Sequence, residues 1–315
     1  MPSGGGPVAP MHASSLDRTR AVPSTTTSRH RSHRQRLISL LGISFIAVVA
    51  AGTVTVALPA EQALGATRVP RAVIIVGPSD GSTPEYIAEG KLFANQAEKA
   101  GMKVTRLFHP RATWARVRPA LQGANLVVYF GHGNGWPSPY GPSQENTKNG
   151  FGLNRREGAP PNEHVYYGGN VIREKVRLAK NAVVILYRAC YAAGNGEDWH
   201  RIPSQGVALR RVDNFAASFL DRDVRAGVVM AFGAKQWVNI AAALMRPGKT
   251  MNSIFRIPSA KPGWRTSGWM GRRDIYRQSS RTPGAYIHLD VHPATGYRRA
   301  ITGELKMTTG EWRGR

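Results

Sequence analysis

The sequence predicts an α/β protein whose mostly parallel central sheet is covered by helices on both faces. Short apolar runs bounded by Gly or Pro recur along the chain and are typical of buried strands. These runs carry few polar residues, which indicates strands buried on both faces, as in a parallel sheet. Amphipathic segments separate the runs, and such alternation of strand and helix is typical of a layered α/β fold.

The elements follow one another in a regular order. Predicted strands cover residues 72–76, 102–107, 125–130, 182–189 and 226–232. Predicted helices cover residues 84–100, 113–121, 171–179, 212–220 and 237–245. A long loop rich in Gly, Pro, Ser and Asn is expected over 131–162. After Pro247 the pattern changes, and residues 286–291 and 300–307 are predicted to be strands of a hairpin.

We expect four segments along the chain. Residues 1–36 form a disordered basic segment, 37–66 a signal peptide or membrane anchor, 67–247 the α/β domain, and 248–315 an irregular and β-rich C-terminal extension. No charged residue occurs from Leu37 to Leu58, and several arginines precede this run. The pattern predicts export, with the protein either secreted after cleavage or anchored by an N-terminal helix with the domain outside.

The composition is strongly basic. Lys and Arg number 43 against 19 Asp and Glu, which gives a net charge of +24, and +20 without residues 1–66. Such a charge favours association with an anionic cell-surface polymer or a membrane surface. The alternative is a generally basic surface with no such partner. We find no specific nucleic-acid motif.

The cysteine count, the histidine spacing and the glycine-rich segment after the first strand give no indication of a disulfide, a metal site or a phosphate-binding loop. The single cysteine, Cys190, excludes an intramolecular disulfide and a site of several cysteines. His132, His164 and His200 lack a metal-ligand spacing. Residues 77–81, GPSDG, follow the first strand but lack the Gly-Lys-Ser/Thr ending of a phosphate loop. We therefore expect no cofactor and no metal.

Cys190 and His132 are the candidate catalytic residues. Each follows a predicted buried strand, where α/β folds present ligand and catalytic groups. A thiol and an imidazole form a nucleophile and its proton partner, and the N–H groups of Gly133 and Cys190 are candidate oxyanion donors. Partial exposure there favours the thiolate. The alternatives are a small buried hydrophobe for the cysteine and a structural hydrogen-bonding role for the histidine.

Several segments together resemble a known clan of cysteine peptidases. Residues 127–133, VVYFGHG, and 183–190, VVILYRAC, resemble the His-Gly and Ala-Cys strands of the caspase, metacaspase, legumain and gingipain clan. Residues 214–220 and 227–230 resemble the next helix and strand in its bacterial and CHAT-type members. The resemblance covers about residues 70–245.

This resemblance implies a three-layer caspase-like fold and an exported cysteine endopeptidase with a His132–Cys190 dyad. The substrate implied is a peptide or protein, cleaved through a thioester acyl-enzyme. The caspase signature Gln-Ala-Cys-x-Gly reads RACYA over 188–192, so two of its positions differ. The alternative is a catalytically inactive surface module of the same fold that binds anionic polymers electrostatically.

Five residues are candidates for the substrate pocket. They are Arg188, Tyr191, Glu197, Asp198 and Trp136. We expect Arg188 to lower the pKa of the Cys190 thiol if the two side chains approach. Tyr191 is bulky enough to restrict the pocket. Glu197 and Asp198 are suited to a basic substrate residue or to calcium, and the alternative for both is an ordinary loop surface.

Overall fold

A sheet of eight strands forms the centre of the protein. The computed structural model describes residues 68–233, 239–257 and 274–314. The order of strands across the sheet is β2-β1-β3-β6-β7-β10-β9-β8. The strands are β1 (Arg71–Val76), β2 (Lys103–Phe108), β3 (Leu126–Phe130), β6 (Ala182–Tyr187), β7 (Ala226–Phe232), β8 (Ile275–Gln278), β9 (Tyr286–His292) and β10 (Gly296–Gly303).

The first five strands of the sheet are mutually parallel, and the last three are added in antiparallel fashion. A separate two-stranded antiparallel sheet consists of β4 (Phe151–Asn154) and β5 (His164–Tyr167). The predicted α/β class with a mostly parallel central sheet is therefore confirmed.

Helices lie on both faces of the sheet. They are α1 (Thr83–Lys99), α2 (Trp114–Leu121), α3 (Gly169–Lys175), α4 (Gln205–Leu220), α5 (Ile240–Met245), α6 (Met251–Phe255) and α7 (Thr309–Trp312). A single 3-10 turn, Asp80–Ser82, precedes α1.

Alternate residues of each buried strand face the two helical layers, as the two-residue period of a strand requires. In β3, Val127 and Tyr129 face the layer of α2, α3 and α4. Their neighbours Leu126, Val128 and Phe130 face the layer of α1, α5, α6 and α7. All five are buried, which explains why this strand reads as a continuous apolar run.

Among the elements that differ from the prediction, two do so for identifiable reasons. The region predicted as a loop, 131–162, contains β4, whose four residues are too short to show a strand pattern. Helix α4 begins at Gln205 rather than at Val212, with Ser204 as its N-cap. Its first turns pack Ala208 and Val212 against β9 and β10, a long-range contact that local periodicity does not reveal.

Strands β8, β9 and β10, from the predicted C-terminal extension, continue the central sheet beyond β7. Strands β9 and β10 form an antiparallel hairpin, and β10 covers Gly296–Gly303 rather than the predicted 300–307. No helix within the described residues is long and apolar enough to cross a membrane. The apolar run 37–58, on which the export prediction depends, lies outside those residues.

Candidate active site

His132 and Cys190 follow neighbouring parallel strands at the same edge of the sheet. Strands β3 and β6 are paired so that Phe130 lies opposite Tyr187. His132 lies two residues beyond the end of β3, and Cys190 three residues beyond the end of β6. The carboxyl edge of a parallel sheet thus brings the two segments together.

The two segments touch through their backbones. A Cβ added to Gly133 would lie 2.1 Å from the carbonyl oxygen of Cys190 and 2.3 Å from its nitrogen. Only glycine fits such an approach without a shift of the backbone. The backbone N–H groups of Gly133 and Cys190 lie near enough to the sulfur of Cys190 to lower the pKa of its thiol. The two candidate oxyanion donors therefore converge on the thiol.

The Cys190 thiol is half-buried and is held in its protonated form. Burial raises its pKa to about 11, with further contributions from the carboxylates of Glu197 and Asp198. The two N–H donors oppose this shift without overcoming it. The expectation that this edge of the sheet favours the thiolate is wrong for the geometry seen here.

Arg188 does not supply the cation that we expected beside the thiol. Its guanidinium donates to Glu85 at 2.8 Å and to Glu89 at 3.3 Å, and it lies over the ring of Tyr86. Since these carboxylates lie on α1, Arg188 is turned toward that helix, and it is absent from the causes of the Cys190 pKa shift.

The turn that carries Cys190 is strained on both sides. Arg188 has φ of 57° and Tyr191 has φ of 72°, the left-handed region that L residues with a Cβ rarely adopt. Contacts fix both residues: Tyr191 is fully buried, and its ring packs against the guanidinium of Arg211. Such strain persists only where the surroundings over-determine it, and it is concentrated at functional sites.

His132 is oriented by an acid that the sequence analysis did not select. Its Nε2 lies 2.9 Å from Oδ2 of Asp80, at the 3-10 turn after β1. The ring of His164 packs against that of His132 at a centroid distance of 4.8 Å. Burial, followed by the proximity of His132, lowers the pKa of His164, which favours its neutral form. Within the described residues, no hydrogen bond joins His132 to Cys190.

A buried hydroxyl fixes the backbone of His132. Tyr129 Oη donates to the carbonyl oxygen of His132 at 2.8 Å and accepts from the N–H of Gly152 at 2.9 Å. Tyr129 lies on β3 and Gly152 on β4, so the small hairpin is attached to the segment that carries the imidazole. Burial raises the pKa of Tyr129 well above its ordinary value, which keeps the hydroxyl protonated.

A cleft of about 310 Å³ adjoins Gly133. Glu197 lies in its wall and accepts hydrogen bonds from Tyr140 Oη at 3.0 Å and from Tyr191 Oη at 3.3 Å. Lys148 is buried beneath the loop after His132 and donates to Asn134 and to the carbonyl oxygen of Tyr140. The loop therefore carries Tyr140 to the cleft, where the carboxylate of Glu197 accepts its hydrogen bond.

A smaller cavity of about 90 Å³ is lined by Cys190 itself. Arg188, Asp198 and Arg298 line it together with Cys190, and Tyr191 borders both cavities. Asp198 is largely exposed and accepts from Arg298 at 3.2 Å. Trp136 lines neither cavity; its backbone is held by Asn149 and Asn214.

The signal for Asp80 was present in the sequence. Asp80 follows the first predicted strand, and β1 neighbours β3 at the same edge of the sheet. The order of strands β1 and β3 across the sheet, which places Asp80 beside the histidine, follows only from the structure. Tyr129 had no comparable signal, because a tyrosine in an apolar run is indistinguishable from an ordinary core residue.

No protein-family model matches the chain, and no curated protein matches it significantly. Among solved structures it is similar to a secreted C11 cysteine protease from Bacteroides thetaiotaomicron, determined in complex with an irreversible peptide inhibitor. The TM-score is 0.36 at 12% identity, over 70% of this chain and 66% of that one, just under two thirds of its length. A second similar structure, protein GSU0716 from Geobacter sulfurreducens, has a TM-score of 0.25 at 13% identity, over 52% of this chain and 72% of that one. The likeness is distant in both cases.

Proposed function

We propose that this protein is an exported cysteine endopeptidase of caspase-like fold, with Cys190 as nucleophile and His132 as proton-transfer partner. The observation that carries the proposal is the close approach of the Gly133 and Cys190 backbones beside the thiol, where the N–H groups of both residues lower its pKa. A buried structural cysteine has no need of two donors at the edge of a cleft. The same two groups are suited to stabilise the oxyanion of an acyl-transfer reaction.

The bonds formed and broken follow from these roles. The sulfur of Cys190 attacks the scissile carbonyl carbon, and its proton passes to His132. The imidazole then gives that proton to the leaving amine as the carbon–nitrogen bond breaks. Water next attacks the thioester carbon, His132 accepts its proton, and the proton returns to the departing sulfur. The products are a carboxylic acid, an amine and the original thiol.

Asp80 determines which ring nitrogen transfers the proton. Because Asp80 holds Nε2, the nitrogen left for exchange with the thiol is Nδ1. The pKa of Cys190, about 11, means that the thiol is protonated at neutral pH. Attack is therefore coupled to transfer of the proton to His132, rather than starting from a preformed thiolate.

A peptide-library assay on the full chain tests this proposal. The wild type should cleave at least one class of peptide, and Cys190→Ala should lower kcat/KM by at least a thousandfold, a typical magnitude for loss of a nucleophile. Ser253→Ala, a substitution of an exposed hydroxyl on α6, is the control and should retain activity. Cleavage by Cys190→Ala at the wild-type rate would contradict the proposal. Association with an anionic polymer stays a prediction from net charge.

A further inference from the structure

A second cluster of chemically active side chains lies in the antiparallel part of the sheet. His288 and Asp290 are two residues apart on β9 and so face the same side. Asp274 immediately precedes β8, whose first residue, Ile275, pairs with Leu289. Continuing this antiparallel register by one residue brings Asp274 opposite Asp290. Strands β7 and β10 separate the cluster from the strands that carry Cys190 and His132.

The three side chains converge on a small volume. Nε2 of His288 lies 3.2 Å from Oδ2 of Asp274 and 3.1 Å from Oδ1 of Asp290. Ligands about 2.1 Å from one metal ion are separated by about 3.0–3.4 Å in octahedral or tetrahedral geometry. One ligand atom from each of the three residues lies within 4.8 Å of the other two. The two distances from His288 are therefore those expected between ligands of one metal ion.

His288 points an unsatisfied nitrogen at this volume. Its side chain is fully buried, and Nε2 makes a hydrogen bond of good geometry with neither carboxylate. Its Nδ1 lies 2.7 Å from Oδ1 of Asn252 on α6, which favours the tautomer with the proton on Nδ1. The lone pair of Nε2 then faces two carboxylate oxygens, an arrangement that is stabilised either by a metal cation between them or by a proton on Nε2.

The neighbouring arginines do not fill this role. Arg299 is buried, but it pairs with Oδ2 of Asp290, the oxygen turned away from His288, and donates to the carbonyl oxygen of Phe255. Arg256 is half exposed and lies 4.0 Å from Asp274. The other oxygen of Asp274, Oδ1, is buried without a hydrogen bond. Two carboxylates opposite each other on paired strands repel, so this pair also favours a bound cation.

We propose that Asp274, His288 and Asp290 bind one divalent cation and that Zn²⁺ is the ion they fit best. One imidazole nitrogen and two carboxylate oxygens form a borderline donor set, which suits Zn²⁺ better than Ca²⁺ or Mg²⁺. The cation links the start of the edge strand β8 to β9. Asn252 orients His288 from α6, so the site also connects the sheet to that helical layer. Its role is structural.

Metal content of the full chain tests this site. After removal of metals by a chelator, equilibrium dialysis against Zn²⁺ should give one ion per chain. Asp274→Asn should weaken binding by at least tenfold, while Asp223→Asn, an exposed acid outside the cluster, should not. Saturating Zn²⁺, about 100 times Kd, should raise Tm by about 5–10 °C. Ca²⁺ at the same concentration should raise it less.

A measurement on the wild-type protein tests the site even if Asp274→Asn does not fold. In wild-type protein labelled with ¹⁵N-histidine, Zn²⁺ should shift the Nε2 resonance of His288 and leave its Nδ1 protonated. The proposal is overturned if no Zn²⁺ binds at millimolar concentration. In that case His288 is a protonated bridge between the two carboxylates. The proposal is also overturned if Asp274→Asn binds Zn²⁺ as tightly as the wild type, or if the His288 resonances do not respond.

Discussion

The imidazole of His132 is oriented by the carboxylate of Asp80, with Nε2 2.9 Å from Oδ2. The two residues follow β3 and β1, which are adjacent in the sheet. In the proposed reaction, a carboxylate in this position fixes the ring and stabilises the imidazolium that forms when the thiol gives up its proton. We therefore propose Asp80 as a positioning residue that acts through His132.

The Asp80–His132 pair predicts a selective kinetic defect. Asp80→Ala should lower kcat by about 10- to 100-fold with little change in KM, because the substrate contacts are unaltered and only proton transfer suffers. Asp80→Asn should lie between this variant and the wild type. Steady-state kinetics on a cleaved peptide give both parameters. A rise in KM with unchanged kcat would show instead that Asp80 contributes to substrate binding.

The contact between Gly133 and the Cys190 backbone predicts that Gly133→Ala is damaging. A methyl group there overlaps backbone atoms that cannot move aside, so we expect a loss of about 2–3 kcal/mol in the free energy of unfolding. Activity should fall with it, because both oxyanion donors are displaced. Urea denaturation measures the first effect and peptide hydrolysis the second.

Gly206 provides the matched control for this substitution. It lies in the first turn of α4, and an added Cβ would meet nothing within 4 Å. Gly206→Ala should therefore change the free energy of unfolding by less than about 1 kcal/mol and retain activity. Equal stability of Gly133→Ala and Gly206→Ala would mean that the two catalytic segments are not in backbone contact.

The raised pKa of Cys190 predicts a characteristic pH dependence. Below a pKa of about 11 the thiolate fraction rises about tenfold per pH unit, so alkylation by iodoacetamide should accelerate steadily from pH 7 to pH 10. A plateau beginning near pH 7 would contradict the protonated thiol. Labelled peptides identified by mass spectrometry confirm that the reaction is at this residue.

Glu197 raises the pKa of this thiol, and its removal should therefore lower it. Glu197→Gln retains an acceptor for Tyr140 and Tyr191 but loses the charge, so alkylation at pH 8 should be about 2- to 10-fold faster than in the wild type. Glu174→Gln, an exposed acid on α3 outside the causes of this shift, should leave the rate unchanged. Identical alkylation rates for the two variants would show that Glu197 does not influence the pKa of the Cys190 thiol.

The sequence was sufficient to predict the sheet and the meeting of two strand ends. Strands buried on both faces can be recognised as apolar runs. Because parallel strands end at the same edge of a sheet, His132 and Cys190 come to one edge. The charge state of the thiol was not predictable. It depends first on burial of the thiol in the folded structure, which Arg188, turned toward α1, does not compensate.

The antiparallel part of the sheet was predicted less completely. The alternation in β9 and β10 was visible, but β8 has four residues and only one of them is not exposed, so its apolar pattern is weak. The Asp274–His288–Asp290 cluster depends on the register between β8 and β9. No local spacing reveals such a cluster, because the first of its members lies fourteen residues before the second in the sequence.

The most direct test of the central claim is to identify the residue that becomes acylated during turnover. The full chain is mixed with an activated acyl ester of a peptide that it cleaves, quenched in acid within the first turnover, and mapped by mass spectrometry. We predict one acyl group, attached to the sulfur of Cys190 and absent from Cys190→Ala. Acylation of another residue, or hydrolysis by Cys190→Ala at the wild-type rate, would contradict the account.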